Sequence, residues 1–112
     1  MSYPAQTRLW LAQRASAAVL AICVAVHLVV IIYAMRGGLS AAEILGRTHG
    51  NLGWLAFYSI FVLAASVHAP IGLRNVCMEW LRWRGRSLEV FLGLFALLLL
   101  VTGMRAVLSV FG

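Results

Sequence analysis

The sequence predicts an all-α membrane protein: three transmembrane helices that pack with a second membrane subunit into a helical bundle. Two observations carry this. Of 112 residues, 63% are hydrophobic and only 11% charged, with a mean hydropathy of +0.96, whereas soluble domains carry roughly a quarter charged residues. The apolar residues also fall into three runs, each long enough for the ~20-residue helix that crosses a bilayer, with short connections between them. The chain forms one transmembrane domain over 1–112, with helices at about 15–35, 52–78 and 88–110. It is too small to enclose a large cofactor alone.

The first helix follows a polar, mildly basic lead-in containing Arg8, Trp10, Gln13 and Arg14. Trp10 suits the headgroup level, where its ring is apolar and its N–H stays wet. The apolar run from Ala15 to Met35 exceeds the 7–15 residues of a signal-peptide core, and no small-residue cleavage site follows, so it reads as a retained span. Arg36-Gly37-Gly38 breaks the helix. Ser40-Ala41-Ala42-Glu43 matches a capping box, which predicts a short interfacial helix over Ala41 to Leu45. The second span starts at Leu52 and contains Pro70, which removes a backbone donor and predicts a modest kink. Alternating Trp and Arg in Trp80-Leu81-Arg82-Trp83-Arg84-Gly85-Arg86 suits an interfacial anchor. The third span carries no ligand residue. Gly93 and Gly103 allow close helix approach there, so it reads as a packing helix.

Net charge is +6, and all nine cations are arginines. Six of them (Arg8, Arg14, Arg74, Arg82, Arg84, Arg86) fall in the N-terminal segment and second loop, against Arg36, Arg47 and Arg105 elsewhere. That asymmetry puts the N-terminus and second loop in the cytoplasm; the expected location is a bacterial-type inner membrane. Basic charge in this setting meets lipid headgroups or a docked soluble subunit; no nucleic-acid-binding motif is present. Cys23 and Cys77 stand in separate segments without metal-site spacing, which suits packed thiols. No paired carboxylates, nucleophile triad or phosphate loop supports catalysis by this chain, so no catalytic residue is assigned.

His68 is the residue around which the rest is organised. A histidine inside an apolar span is costly unless something uses it. Positions four, seven and eleven further on return to its face: Gly72, Asn75 and Glu79. The stripe thus offers an imidazole, a gap without a side chain and two polar groups towards the membrane edge, against which a flat cofactor could lie. Such a stripe, with arginine at the helix end, supplies what a b-type haem requires: an axial nitrogen, apolar walls and a cation for the propionates. His27, on the first helix with Ser16 and Cys23 on its face, is equally well read as hydrogen-bonded packing glue or as a second ligand. His49 reads as a wet loop histidine. At 1.5 Å per residue, His27 lies ~18 Å in from Ala15. His68 lies ~9 Å in from Arg74 or ~16 Å in from Glu79, so a shared iron stays open at the deeper register.

The run His68-Ala69-Pro70-Ile71-Gly72-Leu73-Arg74-Asn75-Val76-Cys77-Met78-Glu79 resembles a second-helix signature of the cytochrome b membrane-anchor C subunits of succinate dehydrogenases and fumarate reductases. That signature is a haem-ligating histidine, three residues, Gly-Ile-Arg-His, three residues and Asp. His68, Gly72 and Arg74 match, Glu79 is a conservative change, and Asn75 departs. The first-helix signature His-Arg-x-[Ser/Thr]-Gly is met by Arg14 and Ser16, with Gln13 and Ala17 departing. The resemblance implies haem b, with His68 as axial ligand and Arg74, Gly72 and Arg14 around it. It also implies a quinone site near Arg14 and Ser16, with Trp10 standing where relatives often carry a serine. One haem held by His68 and a partner's histidine is the expected arrangement; two haems, with His27 on the outer one, is the next. The implied partners are a second membrane-anchor subunit, an iron–sulfur subunit and a flavoprotein subunit. The implied function is electron transfer between the iron–sulfur subunit and quinone in a succinate:quinone oxidoreductase-type complex. The alternatives are the cytochrome b subunit of another quinone-linked dehydrogenase and a haem-free structural membrane subunit.

Overall fold

The computed structural model describes residues 3–112. Four α-helices follow one another: α1 (Tyr3–Gly37), α2 (Ala41–Thr48), α3 (Leu52–Trp80) and α4 (Arg86–Phe111). The three long ones are each sufficiently long and apolar to cross a membrane, and the bundle measures 49 × 24 × 23 Å. Helix α3 is central, packing antiparallel against both α1 and α4, while the short α2 lies against α4.

Helix α1 begins twelve residues before the apolar run, so the polar lead-in is helical. The physical reason is local. Pro4 stands in the first turn, where its missing N–H costs nothing. No other breaker occurs before Gly37, and the Thr7 hydroxyl donates back to the Tyr3 carbonyl at 3.1 Å. At 35 residues the helix is ~52 Å long, well beyond the ~30 Å hydrocarbon core. Its first turns therefore project past the apolar layer.

The predicted capping box is formed. The Glu43 amide donates to Ser40 Oγ, and the Ser40 amide donates to the Glu43 carboxylate. The helix it opens runs on to Thr48, three residues past the predicted end. Asn51 caps α3 by accepting from the Trp54 amide at 3.1 Å, a cap the sequence reading did not assign. Helix α3 continues unbroken through the buried Pro70.

The α3–α4 contact is close where a side chain is missing. A Cβ placed on Gly103 would stand 2.7 Å from Val62 Cγ1, so glycine is what allows the two helices to touch. Gly93 meets nothing within 4 Å and plays no such part inside this chain. At one end Cys77, Leu88 and Leu92 form a small buried core, with Leu73, Met78 and Trp83 packed around it. At the other end Thr48 Oγ1 donates to the Val110 carbonyl and the Gly50 amide donates to the Phe111 carbonyl, both at 2.8 Å. These bonds satisfy carbonyls that the end of α4 would otherwise leave open. Much of the remaining apolar surface is exposed, including Ile22, Val29 and Ile32 on α1 and Leu94, Leu97 and Leu98 on α4. A helix apolar on all sides needs lipid or another helix around it.

Candidate haem and quinone site

The α1–α3 contact puts His68 opposite Ser16. Ser16 Oγ lies 3.3 Å from His68 Nδ1 and 3.1 Å from the Gln13 carbonyl, and Ser16 is only 7% exposed. One turn further along α3, Gly72 sits under Gln13: a Cβ there would stand 3.4 Å from Gln13 Nε2. The Gln13 carbonyl oxygen of the side chain, Oε1, is buried without a hydrogen-bond partner among the described residues. In the sequence Gln13 is only a polar lead-in residue and a departure from a motif. Its place against Gly72 depends on how two helices register, and no pattern within either helix reports that.

Beyond Gly72 the polar residues separate. Arg74 Nε donates to Glu89 Oε1 at 3.1 Å, tying α3 to the first turn of α4. Asn75 and Glu79 are exposed. Trp10, Gln13, Ile71, Arg74 and Asn75 line a cavity of about 220 Å³ between α1 and α3, together with Gln6 and Leu9. Arg14 is exposed, with its guanidinium 5.3 Å from the centre of the Trp10 ring. A guanidinium over an indole face is a cation–π contact. Apart from His27, the expected haem-side and quinone-side residues thus gather on the N-terminal half of α1 and the C-terminal half of α3. Arg14 touches Trp10, and Trp10 in turn lines the cavity.

His27 stands elsewhere. Its ring makes edge-on contacts with Tyr58 and Phe61, at centroid distances of 5.9 and 5.7 Å. Its Nδ1 is buried without a hydrogen-bond partner among the described residues. Phe61 and Tyr58 precede His68 by seven and ten residues, or ~10 and ~15 Å along the helix axis. On α1, His27 lies eleven residues past Ser16, ~16 Å away. The two histidines occupy separate levels of the bundle and cannot reach one iron. The register that left a shared iron open is therefore not the one the helices adopt. Around His27 lies a cavity of about 400 Å³ whose lining includes Tyr58, Phe61, Thr48 and Gly103. Trp54, Phe57, Tyr58 and Phe61 form a connected aromatic cluster. Their i, i+3, i+4, i+7 spacing was legible in the sequence as one helix face, although that reading did not single it out. His49 is exposed at the end of α2.

A low-spin b-type haem takes two axial ligands, and an imidazole such as that of His68 is a side chain that could serve as one. The contact with Ser16 engages Nδ1, which leaves the opposite edge of the ring, with Nε2, for a metal. No described group of three or more His, Cys, Asp or Glu residues could hold a metal ion. The residues brought together at His68 fit one side of a haem site. Cys23 and Cys77 are buried free thiols.

The family model described as the succinate dehydrogenase/fumarate reductase transmembrane subunit matches residues 1–107. No curated protein matches the chain, and no solved structure does.

Proposed function

Because the chain belongs to the succinate dehydrogenase/fumarate reductase transmembrane subunit family, and is thus an integral membrane anchor subunit of such a complex, we propose that it binds haem b through His68 and helps form the quinone site. The observation that carries this reading is the pairing of His68 with Ser16 in the half of the bundle that holds the start of α1. It holds an imidazole by one nitrogen and leaves the other edge of the ring for iron. The haem, when bound, supplies a one-electron carrier between an iron–sulfur subunit and quinone.

The chain's own residues divide the remaining work. His68 contributes one axial ligand, and a histidine of the second membrane subunit contributes the other. Gly72 keeps α3 thin beside Gln13. Arg14, Trp10 and Ser16 lie on the turns of α1 where quinone would enter, and Arg14 and Arg74 supply positive charge for propionates or a quinone oxygen. The six arginines of the N-terminal segment and second loop share one end of the antiparallel bundle, which supports a cytoplasmic N-terminus and a soluble dehydrogenase docking there. The flavoprotein subunit acts on the dicarboxylate, the iron–sulfur subunit delivers electrons, and this subunit does no dicarboxylate chemistry.

A second reading, two haems with His27 on the outer one, is favoured by the buried, partnerless His27 Nδ1 and the cavity beside it. A reduced-minus-oxidised spectrum of the purified complex tests the haem assignment. A Soret band with b-type α absorption is expected, and its absence would leave only the haem-free structural reading. Haem quantified per complex separates one from two.

A further inference from the structure

We propose that Ser16 is a positioning residue for His68, fixing the imidazole in the tautomer protonated at Nδ1 so that Nε2 carries the free electron pair. This rests on His68 being the haem ligand, and it gives Ser16 a role different from contact with quinone. The argument is a count of protons and lone pairs. Ser16 Oγ lies 3.1 Å from the Gln13 carbonyl, and a carbonyl oxygen can only accept, so the single hydroxyl proton is directed there. What Ser16 retains for His68 Nδ1, 3.3 Å away, is an acceptor lone pair. Nδ1 must then bring the proton. A neutral imidazole protonated at Nδ1 has its lone pair at Nε2, the atom a metal would take.

Several features make the arrangement persistent. Ser16 is buried between α1 and α3, so water does not compete for its lone pairs. Its bond to the carbonyl three residues back is local to α1 and survives small shifts of α3. A donated Nδ1–H also places more electron density on the ligand nitrogen, which favours ferric over ferrous haem. Ser16 should therefore be visible in the redox potential of a group it does not touch.

The experiment is a redox titration of the haem in the complete membrane complex carrying Ser16→Ala or Ser16→Thr, alongside quinone kinetics. Ser16→Ala is expected to keep a low-spin b-type spectrum with a midpoint potential more positive than the wild type. Ser16→Thr, which keeps a hydroxyl, is expected to restore the wild-type potential. Should the alanine variant lose haem, the threonine variant decides: haem retained at the wild-type potential supports the assignment, and haem lost there too overturns it. An unchanged potential in Ser16→Ala overturns it as well. If the Michaelis constant for quinone rises at the same time, Ser16 is a quinone contact. A wild-type complex with no haem spectrum would instead remove the parent assignment of His68.

Discussion

His27 and His68 stand on adjacent helices but on different levels, His27 wedged against Tyr58 and Phe61 and His68 against Ser16. The separation, ~10 Å or more along α3, means that each histidine can be altered without displacing the other. His27→Phe keeps the aromatic packing while removing the ring nitrogens. In a one-haem complex this variant retains haem content and the spectrum of the His68 centre; in a two-haem complex it retains half the haem. Pyridine haemochrome quantification distinguishes the two, and complete haem loss would contradict the separation of levels.

Gly103 is the tightest point between α3 and α4. A methyl group there would press on Val62, whose β-branched side chain has little rotamer freedom with which to retreat. Gly103→Ala should cost about 1–3 kcal/mol, seen as a lower midpoint in thermal unfolding of the detergent-solubilised complex. Val62→Ala in the same chain should recover part of that loss. Equal stability of wild type and Gly103→Ala would show that the helices are further apart than the structure has them.

How much of this was legible beforehand depended on the range of the interaction concerned. The three apolar helices, the Ser40–Glu43 capping box and the small-residue contact at Gly103 follow from patterns within one segment, and all are present. The start of α1 at Tyr3 was missed because hydropathy marks the apolar layer and not the helix. With no breaker between Pro4 and Gly37, the helix continues into the polar residues. The partners of the key side chains were not legible. Ser16 opposite His68, Gln13 over Gly72 and Glu89 against Arg74 are matters of register between helices, and sequence periodicity specifies a face without its height. For His27, periodicity placed Ser16 and Cys23 on its face, while the aromatic pocket across α3 came only with the packing.

Arg14 is exposed and stacked on Trp10, so it contributes little to the internal packing of the chain. Arg14→Ala should leave assembly and haem content near wild type. If the guanidinium makes a charge-assisted hydrogen bond to quinone, its loss costs about 1.5–3 kcal/mol. That corresponds to a roughly 10- to 160-fold fall in kcat/KM for quinone. Steady-state assays with a soluble quinone check this. Unchanged quinone kinetics would take Arg14 out of the site.

The central claim is that His68 carries iron. The most direct measurement is the reduced-minus-oxidised spectrum of the purified complex with His68→Ala, beside Asn75→Ala as a control on the same face of α3. Loss or strong perturbation of the low-spin b-type spectrum in His68→Ala, with Asn75→Ala unchanged, is the predicted result. An unaltered low-spin spectrum in the His68→Ala complex would contradict the account.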